Sequence, residues 1–532
     1  VHRLTRWATA AALVLTAVAA LPAGASAATA AAHSCRAATS LGRVRGMPQE
    51  GRCAYLGLPY AAAPTGERRF RPPQPVVPWR GTLEATAVKP GCPQDLGAGG
   101  TGTEDCLYLN VWAPQASRAR LKPVMVYLHG GADELGSAAD PVVDGGRLAE
   151  RGDVVVVSLD YRLGILGWTE LGGLDPAYAG SGNNGLRDEV AGLCWVRRHI
   201  ASFGGDPAQV TVFGQSAGGV SISALLAGDR PERLFRRAVV QSGPGYLVHT
   251  ADSARATAAH VLATGGIHGV ADLDRLTTRQ VLELQQRAES GTSGPAGAVF
   301  FGPYIDGSLV PGPVVERVAA GSARRVDVMT GTTADETDFW AMFNPRLLDL
   351  PLSAYRAIPP VLAPRRQQMY DRYAANRPGL PEGRVVNAML SDQIERVPTL
   401  RLAEAQSRWR PTYVYRFDWH VPYVPGLPAA QNLGAMHTLE LPFVFGTLVL
   451  DAYPRGPQTV AGQRPALTAM SGRMMDAWTS FARAADPGWP RYTADGRATR
   501  IWDLEPSVRH APGEDERELW DAYDFPAWDG RP

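Results

Sequence analysis

"QVTVFGQSAGGVSISALLA", residues 209–227, runs from β-branched and aromatic residues through a cluster of glycines around one serine and out into an apolar stretch. The first part has the composition of a strand and the last part reads as a helix. Between them Gly214, Gln215, Ser216, Ala217 and Gly218 form the Gly-x-Ser-x-Gly pattern of a nucleophile elbow, which needs this strand-then-helix context. Bulk at the flanking glycines would clash with the neighbouring strand and helix, and the turn exposes the serine hydroxyl at the carboxyl edge of a sheet. The first amides of the helix bring partial positive charge beside that hydroxyl. The bland alternative is a small serine in a tight turn.

Outward from this stretch the pattern repeats. "PVMVYLHGG" (123–131) and "DVVVVSLDYR" (153–162) are almost unbroken apolar runs, as expected of strands buried on both faces of a mainly parallel sheet. "NGLRDEVAGLCWVRRHI" (184–200) instead spaces Leu186, Val190, Leu193, Val196 and Ile200 three or four apart, which predicts a helix with one buried stripe. Strand, helix, strand in succession implies an α/β architecture with right-handed crossovers. "RRAVVQSG", "VDVMTGT" (326–332) and "TYVYRFDW" (412–419) are further strand candidates, separated by long inserts. The stretch from Thr337 to Met389, with Trp340, Phe343, Leu347, Tyr355 and Tyr370, reads as helices over the sheet, either core or pocket wall. There is no internal repeat and no low-complexity linker.

Composition narrows the function classes. In 532 residues, 45% are apolar and 20% charged, and the net charge is +1, so nothing favours nucleic acid or an anionic membrane as partner. The amino end has the layout of an export signal: the basic "VHRLTRW", an apolar "ATAAALVLTAVAAL" too short to span a bilayer, and small residues at Ala25 and Ala27. Residues 1–27 are therefore expected to be a signal peptide cleaved between 27 and 32, leaving a secreted chain from 28 to 532 organised as one domain. The competing reading keeps that segment as an anchor. Five cysteines, Cys35, Cys53, Cys92, Cys106 and Cys194, suit an exported protein with two disulfides and one thiol, and none has zinc-site spacing. No metal and no cofactor are expected. "HGG" (129–131) closing a second strand lets the backbone approach a ligand, so the amides of Gly131, Ala132 and Ala217 are candidates for an oxyanion hole.

Taken together, the chain resembles the type-B carboxylesterases, the cholinesterase-like branch of the α/β-hydrolases. The resemblance is carried by "YLGLPYAAAPTGERRFRPP" (55–73), "EDCLYLNVW" (104–112), "YLHGG" (127–131), "DYRLGILGW" (160–168), "NNGLRDEVAGLCWVRRHIASFGGDPAQVTVFGQSAGG" (183–219), "VVQSG" (239–243), "GTTADET" (331–337) and "GAMHTLELPFVFG" (434–446). These segments lie in family order along almost the whole chain from residue 28. The resemblance implies an α/β-hydrolase fold: a large, mostly parallel central sheet flanked by helices, with helical insertions over the active site. It implies hydrolysis of small-molecule carboxylic esters through an acyl-enzyme on Ser216, with Glu336 as orienting acid and His437 as general base. Asp335, Asp338 and Asp306 compete for the acid's part, and His129, His199 and His420 for the base's. His129 is expected to shape the oxyanion loop and His199 to be solvated on its helix.

The resemblance also implies a Cys92–Cys106 disulfide. Cys35 and Cys53 flank what reads as an amino-terminal hairpin and are candidates to pair, leaving Cys194 as a core thiol on the buried helix stripe. Two other functions use the same sequence: acyl transfer to an alcohol or amine by the same triad, and a non-catalytic binding protein on the same fold. The chain departs from the family pattern at Gln215, where glutamate is common, at Ala132, where a third glycine is frequent, and at Asp133 and Glu134, where apolar side chains are usual. A carboxylate beside an oxyanion hole opposes the developing charge, so Asp133 is expected to point outward or to meet a cation.

Overall fold

The computed structural model describes residues 35–95, 100–114, 120–290, 300–355 and 357–529. The expected signal peptide and its cleavage site lie outside the described residues. In chain order the strands are β1 (Arg36–Thr39), β2 (Gly42–Arg45), β3 (Met47–Gln49), β4 (Arg52–Pro59), β5 (Thr82–Glu84), β6 (Tyr108–Pro114) and β7 (Lys122–Leu128). They continue as β8 (Val155–Leu159), β9 (Gly205–Gln215), β10 (Arg237–Gln241), β11 (Asp327–Thr333), β12 (Thr412–Phe417), β13 (Ala498–Trp502) and β14 (Ser507–His510). β1, β2 and β5 form a small sheet, and the other eleven form a large one in the order β14-β13-β12-β11-β10-β9-β7-β8-β6-β4-β3.

From β13 across to β8 every pairing in the large sheet is parallel, while β14 at one end and β6, β4 and β3 at the other are antiparallel. The apolar runs belong to the parallel centre because each strand there is covered on both faces. Along β7, Val124, Val126 and Leu128 pack into one core with Leu186, Leu193 and Val196 of the helix Asn184–His199 and with Ile200 just beyond it. The alternate residues Met125 and Tyr127 pack into a second core with Met470, Met474, Trp478 and Phe481 of the long helix Gly456–Ala484. The period of two along the strand thus divides one apolar segment between two layers of helix.

This fold is the α/β-hydrolase architecture expected. Two positions on the helix Asn184–His199 differ from the sequence reading. His199 is buried, close to Trp195, where solvation was expected. Cys194 is a free thiol, as expected, but it sits half-exposed on the flank of the helix rather than in its buried stripe. Coverage of the helix thus extends beyond the stripe at His199 and falls short of it at Cys194.

Two disulfides, Cys35–Cys53 and Cys92–Cys106, join residues 18 and 14 apart. The first ties the small sheet to β4, and the second closes the loop that leads into β6. A loop of the second kind is worth about 3 kcal/mol in the chain-entropy account. The double variant Cys92→Ser/Cys106→Ser is expected to lose about that much stability in a urea unfolding series; an unchanged midpoint would contradict this.

Candidate active site

The carboxyl ends of the parallel strands bring the chemistry together. β9 ends at Gln215 and the helix Ala217–Ala227 begins two residues later, so Ser216 alone makes the turn, with φ 56° and ψ −127°. Such a conformation costs on the order of 1–3 kcal/mol and persists only where packing over-determines it. Packing does so here: a Cβ on Gly218 would lie 2.1 Å from the Leu128 carbonyl oxygen, and one on Gly214 would lie 2.8 Å from the Gly218 backbone. Strand, turn and helix therefore approach each other backbone to backbone, which only glycine at those two positions permits. The Ser216 amide donates to the Gln241 carbonyl at 2.9 Å, anchoring the turn to β10.

Glu336, three residues beyond β11, is fully buried and its carboxylate is held on both oxygens. Oε1 accepts from Ser242 Oγ at 2.6 Å and from the Thr333 amide at 2.7 Å, while Oε2 accepts from His437 Nδ1 at 2.6 Å. The imidazole is itself buried and lies against Trp340, with ring centroids 5.4 Å apart, and against Phe339 at 5.8 Å. Trp340 is thus part of the wall behind the imidazole. His437 Nε2 lies 3.0 Å from the Gln215 side-chain nitrogen, and no hydrogen bond among the described residues joins it to Ser216 Oγ. An amide nitrogen only donates, so Nε2 accepts and the ring proton sits on Nδ1, facing Glu336.

The competing residues are engaged elsewhere. Asp338 accepts from Arg384, Asn387 and the Gly434 amide; Asp306 accepts from Asn183 and two backbone amides; Asp335 accepts from the Ala435 amide. His420 is exposed and hydrogen-bonded to a carbonyl beside it. His129 stacks on Tyr161 at 4.3 Å and its Nδ1 donates to the Gly130 carbonyl. Burial pushes the His129 imidazole down to about 4, so it is neutral and shapes the loop after β7.

In that loop Gly131, Ala132 and Asp133 all have positive φ, and the Gly131 carbonyl accepts from the amides of Glu134 and Leu135. The amides of Gly131, Ala132 and Ala217 donate to no protein acceptor among the described residues. A Cβ on Gly130 would lie 2.9 Å from Ser216 Cβ, so the loop runs directly against the serine. Asp133 corrects the expectation made of it: it is 1% exposed and has no cationic partner, with Oδ1 unpartnered. Consecutive left-handed residues turn the side chain inward whatever its polarity. Burial pushes its carboxyl well above the usual range, which favours the uncharged form of this side chain. Burial, then the charges of Glu289 and Asp133, raise Glu134 as well.

Other residues of the site escape sequence reasoning. Ser242 belongs to "VVQSG", but its bond to Glu336 joins residues 94 apart. Gln241 donates to Glu440 Oε1 at 3.1 Å and accepts from Trp478 Nε1 at 3.2 Å, a buried chain that joins the end of β10 to the helix Gly456–Ala484. Among the described residues no group of three or more His, Cys, Asp or Glu side chains is placed to hold a metal ion.

Residues 34–520 match the model of the carboxylesterase family. The para-nitrobenzyl esterase of Bacillus subtilis (strain 168) is 36% identical over 502 residues, covering 90% of this chain and 97% of that one. The fumonisin B1 esterase of Sphingopyxis macrogoltabida is 33% identical over 462 residues, covering 83% and 82%. The crystal structure of a Geobacillus stearothermophilus carboxylesterase at pH 6.2 superposes with a TM-score of 0.80 at 34% identity, covering 92% of this chain and all of that one.

Two outcomes follow from the charges around His437. Gln215→Glu places a carboxylate about 3 Å from the imidazole and favours its protonated form. The acid limb of the kcat/KM profile is expected to move to higher pH than in the parent; an unmoved limb would contradict the contact. Glu440 is pushed up from 4.5 to about 7, by burial first and then by the charge of Glu336. Its folded form holds a proton that the unfolded chain releases, so stability falls as pH rises from about 4.5 and the loss is complete above about 7. Glu440→Gln should match the parent near pH 4 and exceed it near pH 8 by roughly 3 kcal/mol, measured by urea unfolding at each pH.

Proposed function

The chain belongs to the carboxylesterase family, and from that premise we propose that Ser216, His437 and Glu336 form the triad through which it hydrolyses carboxylic esters. That the protein is a serine carboxylic ester hydrolase follows from the family and from its esterase relatives. The single observation supporting the residue assignment is the buried Glu336–His437 contact of 2.6 Å beside the strained turn at Ser216.

In this reading Ser216 Oγ takes over from Gln215 as the group facing His437 Nε2. It attacks the ester carbonyl carbon while its proton passes to Nε2. Glu336, held by Ser242 and Thr333, stabilises the imidazolium through Nδ1. The carbonyl oxygen gains a full negative charge, which the amides of Gly131, Ala132 and Ala217 receive. Collapse expels the alcohol, which takes the proton from Nε2 and leaves an acyl ester on Ser216. Water then attacks the acyl carbon while giving a proton to Nε2, and the second collapse breaks the bond to Ser216 Oγ, returns that proton to Oγ and releases the acid.

We also read the protein as exported. Its two disulfides are consistent with an extracellular protein, and no helix among the described residues is long and apolar enough to cross a membrane.

Ser216→Ala is expected to lower kcat toward p-nitrophenyl butyrate by on the order of 10⁴ to 10⁶. A fluorophosphonate should add its mass to Ser216 in the parent and add nothing in the variant. Labelling elsewhere, or retained turnover, would remove Ser216 from its role.

A further inference from the structure

The loops that leave β11 and β12, together with the helix Glu382–Ser391, line a cavity of about 580 Å³. Asp335 and Asp338, which flank Glu336 in sequence, belong to its wall, and so does Gly434, three residues before His437. Ser216, Glu336, His437 and the oxyanion loop do not. The cavity is therefore distinct from the candidate active site, although it borders the segments that carry its acid and its base.

The cations in the wall are already engaged. Arg384 donates to Asp338 Oδ2 at 2.7 Å and to the carbonyls of Ala429 and Asn432. Arg377 donates to both carboxylate oxygens of Glu516 and to the Tyr373 carbonyl. Asp338 is satisfied as well, since Asn387 and the Gly434 amide add to the bond from Arg384.

The groups left over are acceptors. Asp335 accepts from the Ala435 amide through Oδ2 at 3.0 Å, and among the described residues it has no ion pair and no bond at Oδ1. Asp349 is exposed, with neither an ion pair nor a side-chain hydrogen bond among the described residues. Asn387 is 3% exposed and its Oδ1 meets no donor. His420 Nδ1 lies 2.9 Å from the Val421 carbonyl, which can only accept, so in the neutral ring Nε2 is a further acceptor. Burial, then the charge of Asp338, push the Asp335 carboxyl up to about 6, so it is ionised at pH 8.

Chemistry selects the occupant. A cation that donates hydrogen bonds meets these acceptors and balances the carboxylates of Asp335 and Asp349. A carboxylate or a phosphate would face like charge and find both arginines taken. The rest of the wall is apolar: Leu348 and Leu433 are buried, while Leu380 and Tyr423 are 49% and 65% exposed and stand toward the mouth. An aromatic face there attracts a cation, and the aliphatic surface favours an apolar body over a bare ammonium ion. We propose that this cavity is a second ligand site, separate from the ester site, that takes an ammonium or guanidinium group carried on an apolar body.

The probe is 2-phenylethylammonium, titrated calorimetrically at pH 8 into the full chain after Ser216 has been capped with a fluorophosphonate. Its uncharged counterpart is 2-phenylethanol. Saturable binding of one cation per chain is expected, about tenfold or more tighter than the alcohol. Asp335→Asn should weaken it about fivefold or more. Leu380→Arg, which sets a cation at an exposed position beside the cavity, should abolish it and serves if the first variant does not fold. Absence of saturable binding, equal affinity for the alcohol, or an affinity unchanged in either folded variant overturns the proposal. The test does not depend on the esterase reading: if Ser216 takes no adduct, the uncapped chain is titrated and Leu380→Arg still locates the site.

Discussion

The backbone contact between the turn at Ser216 and the end of β7 is the constraint on which the rest depends. Gly218 lies so near the Leu128 carbonyl that a Cβ would come within 2.1 Å of it. This approach holds Ser216 at φ 56°, lets the Gly130 backbone run against the serine, and fixes where the helix Ala217–Ala227 starts relative to the oxyanion loop. The strain of one residue is thus sustained by two cores, one on each face of β7 and β9. The proposed nucleophile and the proposed oxyanion donors are thus positioned by a single packing event, not by separate local preferences.

Around this turn, burial raises the carboxyl groups that meet few donors. Asp133 has no cation, Asp160 accepts from the Ala138 amide and the Ser137 side chain yet is pushed up to about 7 by burial, and Glu440 stands near 7 with Oε2 unpartnered. Glu336 differs in kind, since two fixed donors besides the imidazole meet its oxygens. Glu336 is thus better supplied with hydrogen-bond donors than Asp133 or Glu440, which each leave an oxygen unpartnered.

How much of this was legible in the sequence depended on whether a signal was local. The parallel centre was readable because "PVMVYL" and "DVVVVSL" are apolar on both faces, and the elbow because its glycines lie within five residues. The antiparallel margins were not: β14 is half-exposed or exposed throughout, and β3 has three residues, too few for a period to show. Asp133 was misplaced because polarity argued for solvent while backbone conformation at Ala132 and Asp133 decided the direction. Pairings such as Ser242 with Glu336, or Gln241 with Glu440 across 199 residues, leave no trace in spacing. Cys194 and His199 failed for a related reason, since a stripe derived from one face does not report what covers the flanks.

The order of the strands explains why such distant residues meet. β12, β11, β10, β9 and β7 are consecutive neighbours in the sheet, all parallel, so their carboxyl ends lie along one edge. Ser216 and Ser242 follow β9 and β10 by one residue, Glu336 and Gly131 follow β11 and β7 by three, and His437 returns from the excursion after β12. With neighbouring strands about 4.8 Å apart, the interval between β9 and β11 is close to 10 Å, the span that an imidazole between a hydroxyl and a carboxylate has to bridge. Ser242, one residue past the intervening β10, donates to the Glu336 carboxylate at 2.6 Å. A shift of register between β10 and β11 would therefore break the acid's hydrogen bonds before it exposed any apolar surface, which ties the chemistry to the pairing of Gln241 with Gly331.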